Sequence, residues 1–167
     1  MTKEKKPVSE MQKIEKVVVN IGVGKLRNLQ NFDDKVLPAV MEEVAIVTGQ
    51  KPATRQAKQA IAGFKTRTGD IVGLQVTLRR QRMIGFLKKV IHVALPRVKD
   101  FRGLEISNVD DHGNLNFGFR EQFVFPEVSP EKSRVVFGMQ VTVVPRDRNR
   151  NAAIDFYRSI GIPLKTK

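Results

Sequence analysis

The apolar side chains of this chain change their spacing as it proceeds, and that alternation limits the folds open to it. Residues 13–24 (KIEKVVVNIGVG) read as a β-branched strand ending in alternating glycines. From Asn31 to Thr48 the period changes. Phe32, Val36, Val40, Val44 and Val47 recur at three- and four-residue steps, with Asp33 and Asp34 early and Gly49 as a stop. This predicts a helix that Pro38 bends or breaks in its first turns, with Leu37 as an alternative start. Strand-like pieces return over 51–79, with LQVTLR (74–79) the clearest and 65–73 (KTRTGDIVG) expected as an exposed loop whose tip is Gly69-Asp70. Residues 81–95 carry the strongest helical pattern: Met83, Phe86, Leu87, Val90, Ile91, Ala94 and Leu95 share a face opposite Lys88 and Lys89, before Pro96. A strand pair around 115–125, with Phe123 and Phe125 as core residues, a strand over 135–144 and a final helix over 147–160 complete the pattern.

The order βα then ββαββα predicts an α+β fold, a single domain with an antiparallel β-sheet and helices packed mainly on one face. A length of 167 residues suits one domain. Residues 13–167 are assigned to it and 1–12 to a flexible, charged start. No period of 20–50 residues repeats, which excludes a solenoid.

Charge is distributed unevenly. The formal net charge is +13, yet residues 1–50 hold 8 basic and 7 acidic side chains, and 103–167 hold 9 and 8. Residues 51–102 hold 13 basic side chains against Asp70 and Asp100 alone. A single-sign field of this kind steers an anionic partner. Arg55, Lys58, Lys65, Arg67, Arg79, Arg80 and Arg82 are separated by Thr, Gln and Gly, a composition suited to phosphates and 2′-hydroxyls.

Other function classes fail on their residues. The absence of cysteine excludes disulfide scaffolds, thiol nucleophiles, Cys-ligated zinc and iron–sulfur clusters, and fits a reducing compartment. No stretch reaches the roughly 18 apolar residues of a membrane span, and the charged N-terminus predicts no signal peptide. Gly22-Val23-Gly24-Lys25 hints at a phosphate loop, but Val19 stands where the first glycine is needed and Leu26 where Ser or Thr is needed. Asp110, Asp111 and His112 lie on consecutive residues, as in a solvated turn, and such neighbours rarely converge on one metal ion. Phe117-Gly118-Phe119 matches only the centre of an RNA-binding octamer. No catalytic residue, cofactor or metal is expected. An RNA-processing enzyme using His92 or His112, and a basic DNA binder without a recognisable helix-turn-helix, remain the competing readings.

Six ordered motifs carry a resemblance: KIEKVVVNIGVG (13–24), VTGQKP (47–52), AIAGFKTRTGDIVGLQVTLR (60–79), ALPRVKDFRGL (94–104), GNLNFGFREQFVFPEV (113–128) and GMQVTVVP (138–145). Together they resemble the bacterial ribosomal protein L5 family of the large subunit, from about Lys13 to Leu164. That resemblance implies a cytoplasmic, ribosomal, non-enzymatic α+β protein that binds 5S rRNA in the central protuberance. It also implies contact with large-subunit rRNA, peptidyl-site tRNA and a small-subunit protein across an intersubunit bridge, with no membrane partner. Carried to this sequence, the 5S rRNA positions are Asn20, Gln50, Phe64 and Thr77, with Lys51, Arg55 and Arg79 as phosphate contacts. The tRNA-facing loop corresponds to Lys65, Thr66, Arg67, Thr68, Gly69 and Asp70, where the acid is an awkward partner for RNA. Arg146, Arg148 and Arg150 add either a further rRNA contact or a solvated helix cap.

Overall fold

A computed structural model describes residues 11–165, so most of the expected flexible start, 1–12, lies outside the described residues. A 3-10 turn, Met11–Lys13, precedes the first strand, and Met11 is buried. The strands are β1 (Ile14–Gly22), β2 (Ala53–Gln56), β3 (Ile71–Leu78), β4 (Leu115–Phe119) and β5 (Met139–Pro145). They form one antiparallel sheet in the order β2-β3-β1-β5-β4. The main helices are α1 (Leu37–Thr48), α2 (Arg80–Lys89) and α3 (Arg150–Ser159), and the α+β class read from the sequence holds.

Two compact units divide the described residues, and their boundary passes through strands rather than through a linker. The second unit holds Val19–Val76 and Phe119–Gln140. Its core takes Val19 and Ile21 of β1, Leu74 and Val76 of β3, and Val40, Val44 and Val47 of α1. The first unit holds the described residues up to Val18, Thr77–Gly118 and those from Val141 on. Its core takes Phe86, Leu87 and Val90 from the second helical span, and Ala153, Ile154 and Tyr157 from α3.

Both long helical spans carry the same irregularity. The predicted helix 31–48 opens with a π-turn, Phe32–Val36, in which the Leu37 amide donates to the Phe32 carbonyl, and only then becomes α1. The predicted helix 81–95 runs as α2, then a π-turn, Val90–Ala94, closed by the Leu95 amide on Val90, then Leu95–Arg97. Pro38 and Pro96 explain both. A proline ring has no N–H and collides with the carbonyl four residues back, and a five-residue turn just ahead of it accommodates that carbonyl. Pro38 therefore reshapes its helix without ending it, whereas the second span stops at Arg97, one residue past Pro96, as the sequence pattern implied.

Three strand boundaries differ from those expected. The first strand stops at Gly22, because Gly24–Asn28 coil into a 3-10 turn. The expected pair around 115–125 has one strand only; Gln122–Val124 form a 3-10 turn that turns Phe125 edge-on to Phe119, with ring centroids 5.5 Å apart. Phe125 is fully buried, as expected, whereas Phe123 is half-buried. The strand expected over 135–144 begins only at Met139. Upstream of it, Gln122 is fully buried and acts as a hub: its Nε2 donates to the Val135 carbonyl at 2.7 Å and the Ser133 hydroxyl at 3.1 Å, and its Oε1 accepts the Phe137 amide at 3.0 Å. These bonds hold 133–137 as an irregular segment. The final helix starts at Arg150, later than expected, because the Asn149 side chain caps it by accepting the amides of Asn151 and Ala152.

Tyr157 anchors the first unit. Its hydroxyl donates to the carbonyls of Gly113 (2.8 Å) and Val143 (3.2 Å), and burial pushes the phenol pKa well above its ordinary value. Gly113 has φ 79°, and a Cβ there would stand 2.9 Å from that of Ala153, so glycine is required on both counts.

Candidate nucleic-acid interface

Alternation along the strands gives the sheet one buried and one open face. In the second unit Val19, Ile21, Leu74, Val76 and Met139 are buried, while Asn20, Gln75 and Gln140 occupy the positions between them. In the first unit the same alternation places Thr77, Asn116 and Thr142 between buried neighbours, and Thr142 donates to Asn116 at 2.7 Å. Amides and hydroxyls of this kind can both donate and accept, which suits them to sugar hydroxyls and base edges.

The open face of the second unit contains a shallow depression of about 460 Å³, bordered by Asn20, Gly22, Arg55, Gly73, Phe119 and Gln140. Arg55 reaches it from β2, where it pairs in register with Gly73. A side chain at residue 73 would meet the Ile21 carbonyl at 3.4 Å and Arg55 Cβ at 3.7 Å, so glycine keeps this patch low. Arg55 Nε donates to Gln75 Oε1 at 2.7 Å, and its Nη2 bonds the same oxygen. The amide thus orients the guanidinium without neutralising it.

A second concavity in this unit, about 850 Å³, lies between the 24–28 turn and the 57–66 segment and is bordered by Lys25, Lys58, Ile61, Phe64, Lys65 and Thr66. Phe64 is 79% exposed and Ile61 50%. Exposed aromatic and aliphatic surface among three lysines is a platform for stacking beside phosphates.

The expected exposed loop 65–73 is placed differently. Ile71, Val72 and Gly73 already belong to β3, so the exposed excursion ends at Asp70. Paired bonds between Ile61 and Thr66, of 3.0 and 3.2 Å, close a turn whose apex is Ala62–Phe64, with Lys65 at φ 51°. Gly69 and Asp70 form the base instead: the Gly69 amide donates to Ala57, and the Ala57 amide to Asp70. Phe64 and Lys65 therefore occupy the tip that was expected at Gly69-Asp70. The awkward acid also has a role. Asp70 accepts the Arg67 amide and an Arg27 guanidinium, each at 2.5 Å, and these bonds hold its carboxyl below the ordinary carboxylate range.

The remaining expected residues are dispersed. Gln50 is pinned through its backbone to the end of α1, where the Thr48 hydroxyl donates to its carbonyl at 3.0 Å. Lys51 is exposed beside it. Neither borders the two concavities. Thr77 and Arg79 belong to the first unit, where Arg79 stands 3.6 Å from Glu15. Sequence reasoning missed Gln75, Gln140 and Arg27. The first two were signalled by their places between apolar residues of a period-two strand; Arg27 lies 43 residues from Asp70, and no local pattern links them.

Among the described residues no group of side chains could hold a metal ion. The Asp110 carboxylate, which burial alone would raise, is held low because it accepts the Asn114 side chain and the backbone amides of Asn114 and His112, as expected of a turn. His92 is exposed on its helix. No described helix is long and apolar enough to cross a membrane.

Comparison with known proteins gives the family. Residues 8–67 match the family described as Ribosomal protein L5, and 71–164 match the model of the same ribosomal family's C-terminus. The large ribosomal subunit protein uL5 of Thermus thermophilus is 42% identical, over 95% of this chain and 85% of its own length. The uL5 proteins of Campylobacter jejuni and Pseudothermotoga lettingae are 45% and 42% identical, over 90% and 95% of this chain. Those matches cover 81% and 84% of the two relatives. With both halves matched in order, the chain belongs to the ribosomal protein L5 family, structural components of the large ribosomal subunit.

Proposed function

We propose that this protein binds 5S rRNA through the open sheet face of its second unit and attaches it within the large subunit. The observation that carries this reading is the patch of Asn20, Arg55 and Gln140, where hydrogen-bonding amides flank a guanidinium held by Gln75 and no carboxylate intrudes. Arg55 and Lys51 supply charge, and Asn20 and Gln50 discriminate among RNA surfaces, with Thr77 following on β3. The turn carrying Lys65, Thr66 and Arg67 faces peptidyl-site tRNA and touches its backbone, while Phe64 stays with the 5S rRNA positions. Asp70 does not oppose that contact, because Arg27 already balances it. Large-subunit rRNA and a small-subunit protein across an intersubunit bridge complete the partners, in a cytoplasmic ribosome.

The test is a titration of the full chain against 5S rRNA, a tRNA and an unrelated duplex of similar length, at low and moderate salt. Selective retention of 5S rRNA at the higher salt supports the reading. Equal, salt-labile binding to all three rejects it. Arg67→Ala should weaken tRNA more than isolated 5S rRNA, and the reverse order would move the turn to the 5S surface. Incubation with labelled RNA should yield no cleavage products.

A further inference from the structure

The arm formed by residues 57–70 buries no side chain in the core. Ala57, Thr66 and Asp70 are half-buried and the rest are exposed. Its backbone closes on itself, through the bonds between Ile61 and Thr66 towards the tip and those of Ala57 with Gly69 and Asp70 at the base. Such bonds give the arm a shape without fixing where it points. An excursion with no apolar anchor depends for its pose on polar bonds to its neighbours.

The structure supplies such a bond. Arg27 Nη1 donates to Asp70 Oδ2 at 2.5 Å, across 43 residues of sequence, and the same oxygen accepts the Arg67 amide at 2.5 Å. One carboxylate oxygen thereby joins the returning limb of the arm to the 24–28 turn. That turn has a fixed footing: Val23 is buried, its amide donates to the Val72 carbonyl at 3.0 Å, and the Leu26 amide donates to the Val23 carbonyl at 3.0 Å. The groove beside Phe64 has the turn as one wall and the arm as the other, so the pair links the supports of both walls. The Arg27 and Asp70 side chains are 28% and 19% exposed, which turns the guanidinium toward the acid and away from solvent.

We propose that Arg27 and Asp70 are a positioning pair, whose bond straps the 57–70 arm to the 24–28 turn and presets its pose for the tRNA backbone while neither side chain contacts the RNA itself. This rests on the tRNA reading above. A loop posed in advance loses less entropy on binding, so the strap acts on affinity through order rather than charge.

The experiment compares full-length Arg27→Ala, Asp70→Ala and the double variant in tRNA titrations across a salt series, with NMR relaxation of the free proteins and thermal melting to check the fold. Charge alone predicts opposite signs for the two single variants: losing a cation weakens a complex with a polyanion, and losing an acid strengthens it. The strap predicts that both weaken tRNA binding about fivefold and that the double variant is weakened no further, because either change breaks the same bond. The log–log salt slope should stay at the parent's value, since no phosphate contact is lost. Backbone order parameters over 58–68 should fall below about 0.6 in all three, while those of β1 and β3 stay near about 0.85. Arg27→Lys, which keeps a charged donor for Asp70, should recover most of the order and the affinity. The proposal is overturned if Asp70→Ala binds tRNA as well as the parent or better, if the double variant returns to the parent's affinity, if Arg27→Ala lowers the slope by about 1 as loss of a phosphate contact would, or if the arm keeps its order. Should the parent show no affinity for tRNA, the tRNA reading fails by itself, and the order parameters of the free protein still decide whether the pair holds the arm.

Discussion

Asp70 shows at the level of one side chain how an acid can serve a surface that attracts anions. Its bonds to Arg67 and Arg27 are stronger with the carboxylate than with the protonated acid, and they lower its pKa. The stabilisation they give is therefore complete above the ordinary value of about 3.9 and is lost as pH falls through the lowered one. Protection of the Ala57 and Gly69 amides, measured against their intrinsic exchange rates, should fall below about pH 4, and Asp70→Asn should show the lower protection already at about pH 6. Tyr157 has the opposite dependence. Burial raises its pKa, so its contribution is complete below about pH 10 and declines as pH rises beyond that. Tyr157→Phe should lower stability by about 1–2 kcal/mol at pH 7, because two buried carbonyls lose their donor, and should remove this alkaline sensitivity. Urea unfolding at pH 7 and 10.5 measures both effects. Arg80→Gly should raise stability by up to about 1 kcal/mol in the same assay by relieving the left-handed backbone.

At the level of elements, periodicity revealed what was local and missed what was not. Valines at three- and four-residue steps were enough to locate α1, and the apolar face over 81–95 located the second helical span. Pro38 was visible as a disturbance, but its outcome was not, since a widened turn and a broken helix share the same apolar pattern. The pair of strands expected around 115–125 failed for a different reason. Phe117, Phe119, Phe123 and Phe125 continue a period of two, yet the chain leaves the sheet after Phe119 because Gln122 bonds residues 11 to 15 positions ahead. A polar side chain at a buried site cannot be recognised as a hub before its partners are known. Gln122→Leu should cost about 2–3 kcal/mol, since the Phe137 amide and Val135 carbonyl lose their partner in the interior. Thermal melting would show the loss, and proteolysis should cut first within 126–137. The candidate site was legible to a similar degree. Charge counting found the basic segment, whereas Thr77 was reached only through the family resemblance; the loop apex at Phe64 was hidden because backbone pairing, rather than glycine content, decides where a loop turns.

For the whole molecule, the concentration of positive charge in residues 51–102 predicts how binding responds to ions. If about six phosphates are neutralised, the log–log salt slope for 5S rRNA should be about −4 to −5. Asn20→Ala with Gln50→Ala should weaken specific binding yet leave this slope unchanged, because neutral amides release no counterions. A titration series over a tenfold salt range distinguishes the two effects, and a slope near zero would falsify the electrostatic part of the mechanism.

The outer strand β2 has a meaning for the chain before it meets RNA. A sheet margin offers unpaired amides and carbonyls to any passing strand, and this is how folded proteins begin to aggregate. Here that margin is four residues long, breaks register between Arg55 and Gln56, and carries a cation. Brevity, a bulge and charge each discourage another strand from adding to it. If Arg55 contacts RNA as proposed, the same cation also discourages free copies of the chain from pairing along this edge before they meet their RNA.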